Sequence, residues 1–251
     1  MHSHWSQLFK SSFHRTAAQA GLLVLSGMLL ILPPATGQVI RSGPTTCQGV
    51  ALTFDMCPVR GGSGYDAELI RMLIEHHIPA TFFLSGRWIA KHDKEVRGLL
   101  AVPYFELGTH GQVHAHLPLL DPEQQRAEIK QTVTMLRTHY GYVTDLFRPP
   151  YGEFNDSSVE LTRALGLRFI LWSVVSGDPD ARLSSDEILD SVRSKLRNGA
   201  MIVFHGNGKG QHTRRVVEQL YQEVLSKNGL RPMTVSQLLN GCGDGIAHGR
   251  Q

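Results

Sequence analysis

From residue 50 onward, short apolar runs alternate with amphipathic stretches of helical length. This alternation restricts the chain to repeated strand–helix units around a mostly parallel sheet. The strand candidates are "VALTFD", "ATFFLS", "YFELGTH", "LFRPPYG", "LRFILWSV", "AMIVFH" and "RPMTVSQL". Between them lie "DAELIRMLIEHH", "DPEQQRAEIKQTVTMLRTHY", "NDSSVELTRALG", "SSDEILDSVRSKLRNG" and "HTRRVVEQLYQEVLSKNG". Their apolar positions recur at three- and four-residue spacing, with Asp, Asn or Ser starts and Gly stops, as crossover helices require. Seven strands are too few for a complete eight-stranded barrel.

The first segment does not belong to this pattern. Lys10 and Arg15 precede the apolar run "AAQAGLLVLSGMLLIL", which leads into "PPATGQ" with no acidic residue before it. The form is that of a secretory signal, with Ala35 and Gly37 placed for cleavage before Gln38, so residues 1–37 are expected to be removed on export. An uncleaved membrane anchor is the alternative, and it would be the only membrane contact. Residues 38–48 and 242–251 read as an N-terminal extension and a C-terminal tail around one domain at 49–241. Cleavage removes two basic and no acidic residues, so a net charge of +3 falls to +1, which argues against a nucleic-acid partner. Export also favours paired thiols. Cys47 and Cys57 bracket the first strand and sit too far apart along it to bridge unless the chain doubles back; Cys47 with Cys242, joining the two ends of the domain, is the pair expected, with Cys57 as the odd thiol.

Asp55, the pair His110 and His114, Arg148, Asp178 and His205 all fall at or just beyond the C-terminal ends of strand candidates, the edge where parallel sheets gather their sites. In "THGQVHAH" the two histidines are four apart, so one helical turn would turn both imidazoles to the same side, as a shared cation requires; a solvated helix face is the plain alternative, and His116 reads as a bystander. The two prolines after Arg148 stiffen the backbone there, and a guanidinium could hold Asp55 ionised. The glycines at 206, 208 and 210 lack the Lys-Ser/Thr ending of a phosphate loop.

In this order the set resembles the polysaccharide deacetylases (carbohydrate esterase family 4, the NodB-homology domain). "LTFD", "THGQVH", "RPPYG", "WSVVSGD" and "IVFH" are similar to its five motifs, and "IPATFFLSGRWI" to its second strand and following loop, from about Val50 to Leu239. The resemblance implies a deformed (β/α) barrel with about seven parallel strands. It also implies a monomeric, periplasmic or extracellular, metal-dependent hydrolase that removes N-acetyl groups from N-acetylglucosamine polysaccharides such as peptidoglycan or chitin-like chains. Carried over, Asp55 is the general base, His110 and His114 hold the metal, Arg148 orients Asp55, and the Tyr151 backbone N–H helps hold the oxyanion. His205 protonates the leaving amine, Asp178 pairs with His205, and Tyr151 and Trp172 contact the sugar. The metal implied is Zn²⁺, with Co²⁺, Mn²⁺ or Ni²⁺ as alternatives.

Two positions depart from the family pattern. The first motif usually carries a second acid, the third metal ligand, where this chain has Met56, a poor ligand for a hard or borderline cation. Water, Asp66 or the Cys57 thiolate could fill that place, although Asp66 is also well suited to cap the helix it begins. The second departure is Pro179, where the family often has Trp. A non-catalytic glycan-binding protein on the same fold, or a hydrolase of another non-peptide amide or a sugar ester, are the competing readings.

Overall fold

A computed structural model describes residues 38–241. The segment read as a signal, 1–37, and the tail 242–251 with Cys242 lie outside the described residues, and with them the expected Cys47–Cys242 pair. Chain order begins with β1 (Val39–Ile40), β2 (Gly49–Met56), α1 (Ala67–Glu75), β3 (Ala80–Leu84), a short α2 (Gly86–Ile89), α3 (Asp93–Leu100) and β4 (Phe105–Thr109). It continues with α4 (Pro122–Tyr140), β5 (Leu146–Phe147), α5 (Asp156–Ala164), β6 (Arg168–Ile170), β7 (Val174–Val175) and α6 (Ser185–Lys195). Last come β8 (Met201–His205), α7 (Thr213–Gln219) with a π-helical continuation through Leu225, β9 (Arg231–Met233) and α8 (Val235–Leu239).

The helix starts follow their side chains. Asp121, Asn155, Ser184 and Thr234 each accept a hydrogen bond from the backbone N–H three residues on, in reciprocal capping boxes, and Gly141 closes α4 at φ 65°.

All strand ladders are parallel and form one sheet ordered β1-β6-β5-β4-β3-β2-β8-β7, with β9 also paired to β2. The expected single strand "LRFILWSV" is in fact two. β6 pairs with β5 and β1 near one end of the sheet, and β7 pairs with β8 at the other. Only residues 171–173 separate them, and Leu171 N–H donates to Ile40 O while Ser173 N–H donates to Met201 O. So short a link can join the two ends only because the sheet has curled upon itself, which makes it a deformed barrel. Residues 38–48 are not a loose extension: β1 completes this curl, Ser42 bridges to Ala200, and Cys47 is buried. "RPMTVSQL" likewise divides, into β9 and α8, because Thr234 caps a helix. Among the described residues nine strands stand where about seven were expected, the two extra ones, β1 and β7, being two-residue pieces that carry no alternation to read.

Side-chain alternation divides the core. Ala51, Phe83, Leu146, Ile170 and Met201 point into the curl, joined by Met233, Val235 and Leu238. Val50, Leu52, Phe54 and Met56 of β2, with Phe82, Leu84, Ile202 and Phe204, point outward against α1, α6 and α7. Phe147, Phe169 and Leu171 point outward against α4 and α5. No helix among the described residues is long and apolar enough to cross a membrane.

Candidate active site

The alternation that builds the core also selects the site. Counting by two from Ala51 gives Thr53, Asp55 and then Cys57; from Leu146, Arg148; from Ile170, Trp172; and from Met201, Val203 and His205. In β4, Leu107 faces outward, so Gly108 and then His110 face in. The inward positions at the C-terminal rim of these five strands therefore converge on one cleft, lined among others by Asp55, Cys57, His110 and His205, with Asp178 joining from the loop after β7. Asp55 and His205 are direct register partners on adjacent strands.

Asp55 is buried, and its Oδ1 accepts a 2.8 Å hydrogen bond from Arg148 Nη1. Burial by itself would raise its pKa, but His110, Arg148 and His205 together outweigh burial and hold the carboxyl below its ordinary value. Arg148 is fully buried, lies 3.9 Å over the Phe83 ring and donates from Nη2 to Leu171 O. A guanidinium so enclosed fixes the direction of the carboxylate it binds. The remaining oxygen, Oδ2, lies 3.6 Å from His110 Nε2.

The two histidines are brought together by a different route from the one expected. Residues 110–116 are not helical: Gly111 has φ 73° and His114 φ 66°, conformations no α-helix contains. The loop still sets the rings edge to face with centroids 4.8 Å apart. It is held from α4, where Glu128 accepts from the backbone N–H of Val113 at 2.9 Å and of Ala115 at 3.0 Å, and Thr132 Oγ1 donates to Gly111 O at 2.9 Å. Glu128 was not anticipated; its signal is a charged residue within the buried stripe of α4 that also holds Ile129 and Leu136.

His110 Nδ1–H donates to Arg148 O at 2.9 Å, which leaves Nε2 as a lone-pair donor. His114 Nε2 is buried with no partner among the described residues, and burial with its neighbour His110 lowers this imidazole to about 3, so it stays neutral. The donor atoms of Cys57, His110 and His114 all lie within 4.8 Å of one another. Two neutral imidazoles and one sulfur, with an orphaned buried nitrogen among them, fit a borderline cation such as zinc. Asp66 does not join them, because its carboxylate caps α1 by accepting from Leu69 N–H at 3.0 Å.

Beside His205 in the lining, Asp178 is buried and saturated. Its oxygens accept from the His205 backbone N–H (2.8 Å), His205 Nδ1 (3.0 Å), Ser176 Oγ (2.9 Å) and Thr213 Oγ1 (2.7 Å). With Nδ1 engaged, His205 Nε2 is left for the cleft. Tyr151 sits at φ 60° on the rim, half exposed, stacked on His116 with ring centroids 4.0 Å apart, while His116 pairs with Glu153 at 2.7 Å. His116 thus supports the Tyr151 ring without itself lining the cleft. A Cβ at Gly152 would come within 2.6 Å of the Trp172 ring, and its φ is 71°, so glycine alone fits between Tyr151 and Trp172.

The sequence matches the polysaccharide deacetylase family over residues 42–170, which is 129 of the 251 residues. The chain belongs to that family. Among curated relatives of this polysaccharide deacetylase family member, a peptidoglycan-N-acetylglucosamine deacetylase of Bacillus cereus is 28% identical over 199 residues, covering 78% of this chain and 70% of that protein. A bifunctional xylanase/xylan deacetylase of Cellvibrio japonicus is 29% identical over 190 residues, 75% of this chain but 27% of that protein. Of solved structures, a family 4 pseudoenzyme of Bacillus anthracis superimposes with a TM-score of 0.73 at 25% identity, covering 81% of this chain and 69% of that one.

Proposed function

We propose that this chain is an exported, metal-dependent hydrolase that removes N-acetyl groups from N-acetylglucosamine-containing polysaccharide. The observation that carries the proposal is that an Arg148-held carboxylate at Asp55 and an Asp178-held imidazole at His205 stand side by side on adjacent strands in the lining of one cleft. An acetamide resists attack unless a base activates water on one side and an acid releases the amine on the other. A divalent cation held by His110 and His114 would supply Lewis-acid polarisation of the carbonyl and acidification of water. Asp55, kept ionised, takes the proton from the attacking water. The Tyr151 backbone N–H is assigned to the oxyanion that develops. His205 Nε2 gives its proton to the departing amine as the C–N bond breaks, and Asp178 holds the ring through Nδ1 as charge changes on it. Acetate and a free amino sugar result. Tyr151 and Trp172 offer ring faces to the sugar, and Pro179 in the lining leaves the cleft without a third aromatic wall.

Support for the substrate class comes from the named activity of the Bacillus cereus relative; support for export comes from the form of residues 1–37. The test is acetate release from chitooligosaccharides and from peptidoglycan, with and without zinc or cobalt. Release that depends on metal is expected, and no release from any acetylated glycan with metal present would defeat the proposal. One alternative has a specific observation behind it: Met56 faces away from the cleft, and one similar structure is a family 4 pseudoenzyme. That reading, a glycan-binding protein without turnover, expects glycan affinity unchanged in His110→Ala.

A further inference from the structure

The place of the missing acid in the first motif can be read from the strand itself. Met56 is fully buried on the outward face of β2, in the same core cluster as Phe54, and a Cβ added at Gly206 would lie 2.8 Å from its Sδ. The Met56 side chain therefore enters the layer between sheet and helices. Position 57 has the parity of Asp55 and lines the cleft. Its backbone is pinned, since Asn207, itself buried, donates from Nδ2 to Cys57 O at 3.0 Å.

We infer that Cys57 supplies the third protein ligand, so that the cation is held by two imidazoles and one thiolate. The inference rests on the metal-dependent reading given above and deepens it. Donor atoms in a tetrahedral zinc site stand about 3.4–3.6 Å apart, given Zn–N near 2.0–2.1 Å and Zn–S near 2.3 Å. The three donors here lie within 4.8 Å, a gap that side-chain torsions close. Asp55 is held through Oδ1 by Arg148 and Asp66 caps the first turn of α1, and among the described residues the donor atom grouped with the two imidazoles is that of Cys57. The unpartnered Nε2 of His114 points to the same requirement from a second residue. As sulfur and metal join, the S–H bond breaks and its proton passes to water, so the ligand carries the same single negative charge as the acid it replaces. A thiolate beside two imidazoles favours zinc or cobalt(II) and disfavours magnesium and manganese, which take oxygen donors.

The test is a cobalt(II) titration of the metal-stripped full chain, read by the thiolate-to-cobalt charge-transfer absorption in the near ultraviolet and by the dissociation constant. Wild type should show the band. Cys57→Ser, nearly isosteric, should lose it and bind cobalt at least about 100-fold more weakly, since even loss of an outer-sphere partner costs 10–100-fold. Cys57→Asp should bind without the band, which shows that the fold survives and that the sulfur was the source. Cobalt binding without a band in wild type, or equal affinity in Cys57→Ser, overturns the inference. Zinc-dependent acetate release alongside that result would leave the deacetylase reading standing, whereas absence of any cobalt or zinc binding would remove both.

Discussion

Arg148→Met isolates the interaction on which the proposed base depends. Methionine preserves much of the stem that packs over Phe83 but removes the guanidinium, leaving the Asp55 carboxylate buried without its 2.8 Å partner. Unit charges about 4 Å apart at an effective dielectric of about 20 attract by roughly 4 kcal/mol. Removing one partner of a buried pair typically costs about 3–5 kcal/mol, because the survivor keeps its desolvation penalty. Against a total stability of about 5–15 kcal/mol this is a large fraction, visible as a lower urea midpoint for the metal-free protein at neutral pH. The sign with pH is fixed by the same terms. In wild type the Asp55 pKa is depressed, so its contribution is present above the ordinary carboxylate value and is lost as pH falls through the folded value. Without Arg148, burial prevails, the pKa rises, and the gap between variant and wild type narrows on acidification. The acid limb of kcat/KM for acetate release moves to higher pH for the same reason. Asp55→Asn combined with Arg148→Met should cost less than the sum of the single changes. A stability change within about 1 kcal/mol, as for an exposed pair, together with an unmoved acid limb, would refute the account of the base.

Three further outcomes are expected. Asp66→Ala should lower stability by about 1 kcal/mol through loss of the α1 cap while leaving zinc content, measured by atomic emission, unchanged. Glu128→Leu, which removes the oxygen that accepts from both the Val113 and Ala115 backbone N–H, should weaken zinc affinity about 10–100-fold by loosening the loop that carries His110 and His114, read by chelator competition. Because His114 is depressed to about 3, the unfolded chain binds the extra proton first, so metal-free protein should lose stability as pH falls from the ordinary histidine value toward 3, and His114→Asn should flatten that part of a pH–melting curve.

The strand–helix alternation made the parallel sheet legible, and the C-terminal rim singled out Asp55, Arg148, Asp178 and His205, because a parallel sheet leaves its chemistry no other edge. Spacing alone misled at His110 and His114: four residues apart suits a helical turn and an irregular loop equally, and only Gly111 and the left-handed His114 decide between them. Glu128 carried only the signal of a charge in an apolar helix stripe, and its role stayed hidden because the backbone it serves lies 13 and 15 residues away in sequence. The split of residues 167–174 was hidden by the apolar run 169–172 that spans it, although the chain there steps from one end of the sheet to the other. Cys57, by contrast, was readable in principle. Its parity with Asp55 follows from β2 alone once the inward face of that strand is known.

The central claim, that Asp55 is the base of a metal-dependent deacetylation, is tested most directly by measuring acetate release from an N-acetylglucosamine oligomer and zinc content together, in wild type and in Asp55→Asn. The account predicts zinc bound in both proteins and acetate released by wild type alone. Near-normal release by the zinc-loaded Asp55→Asn protein would contradict it.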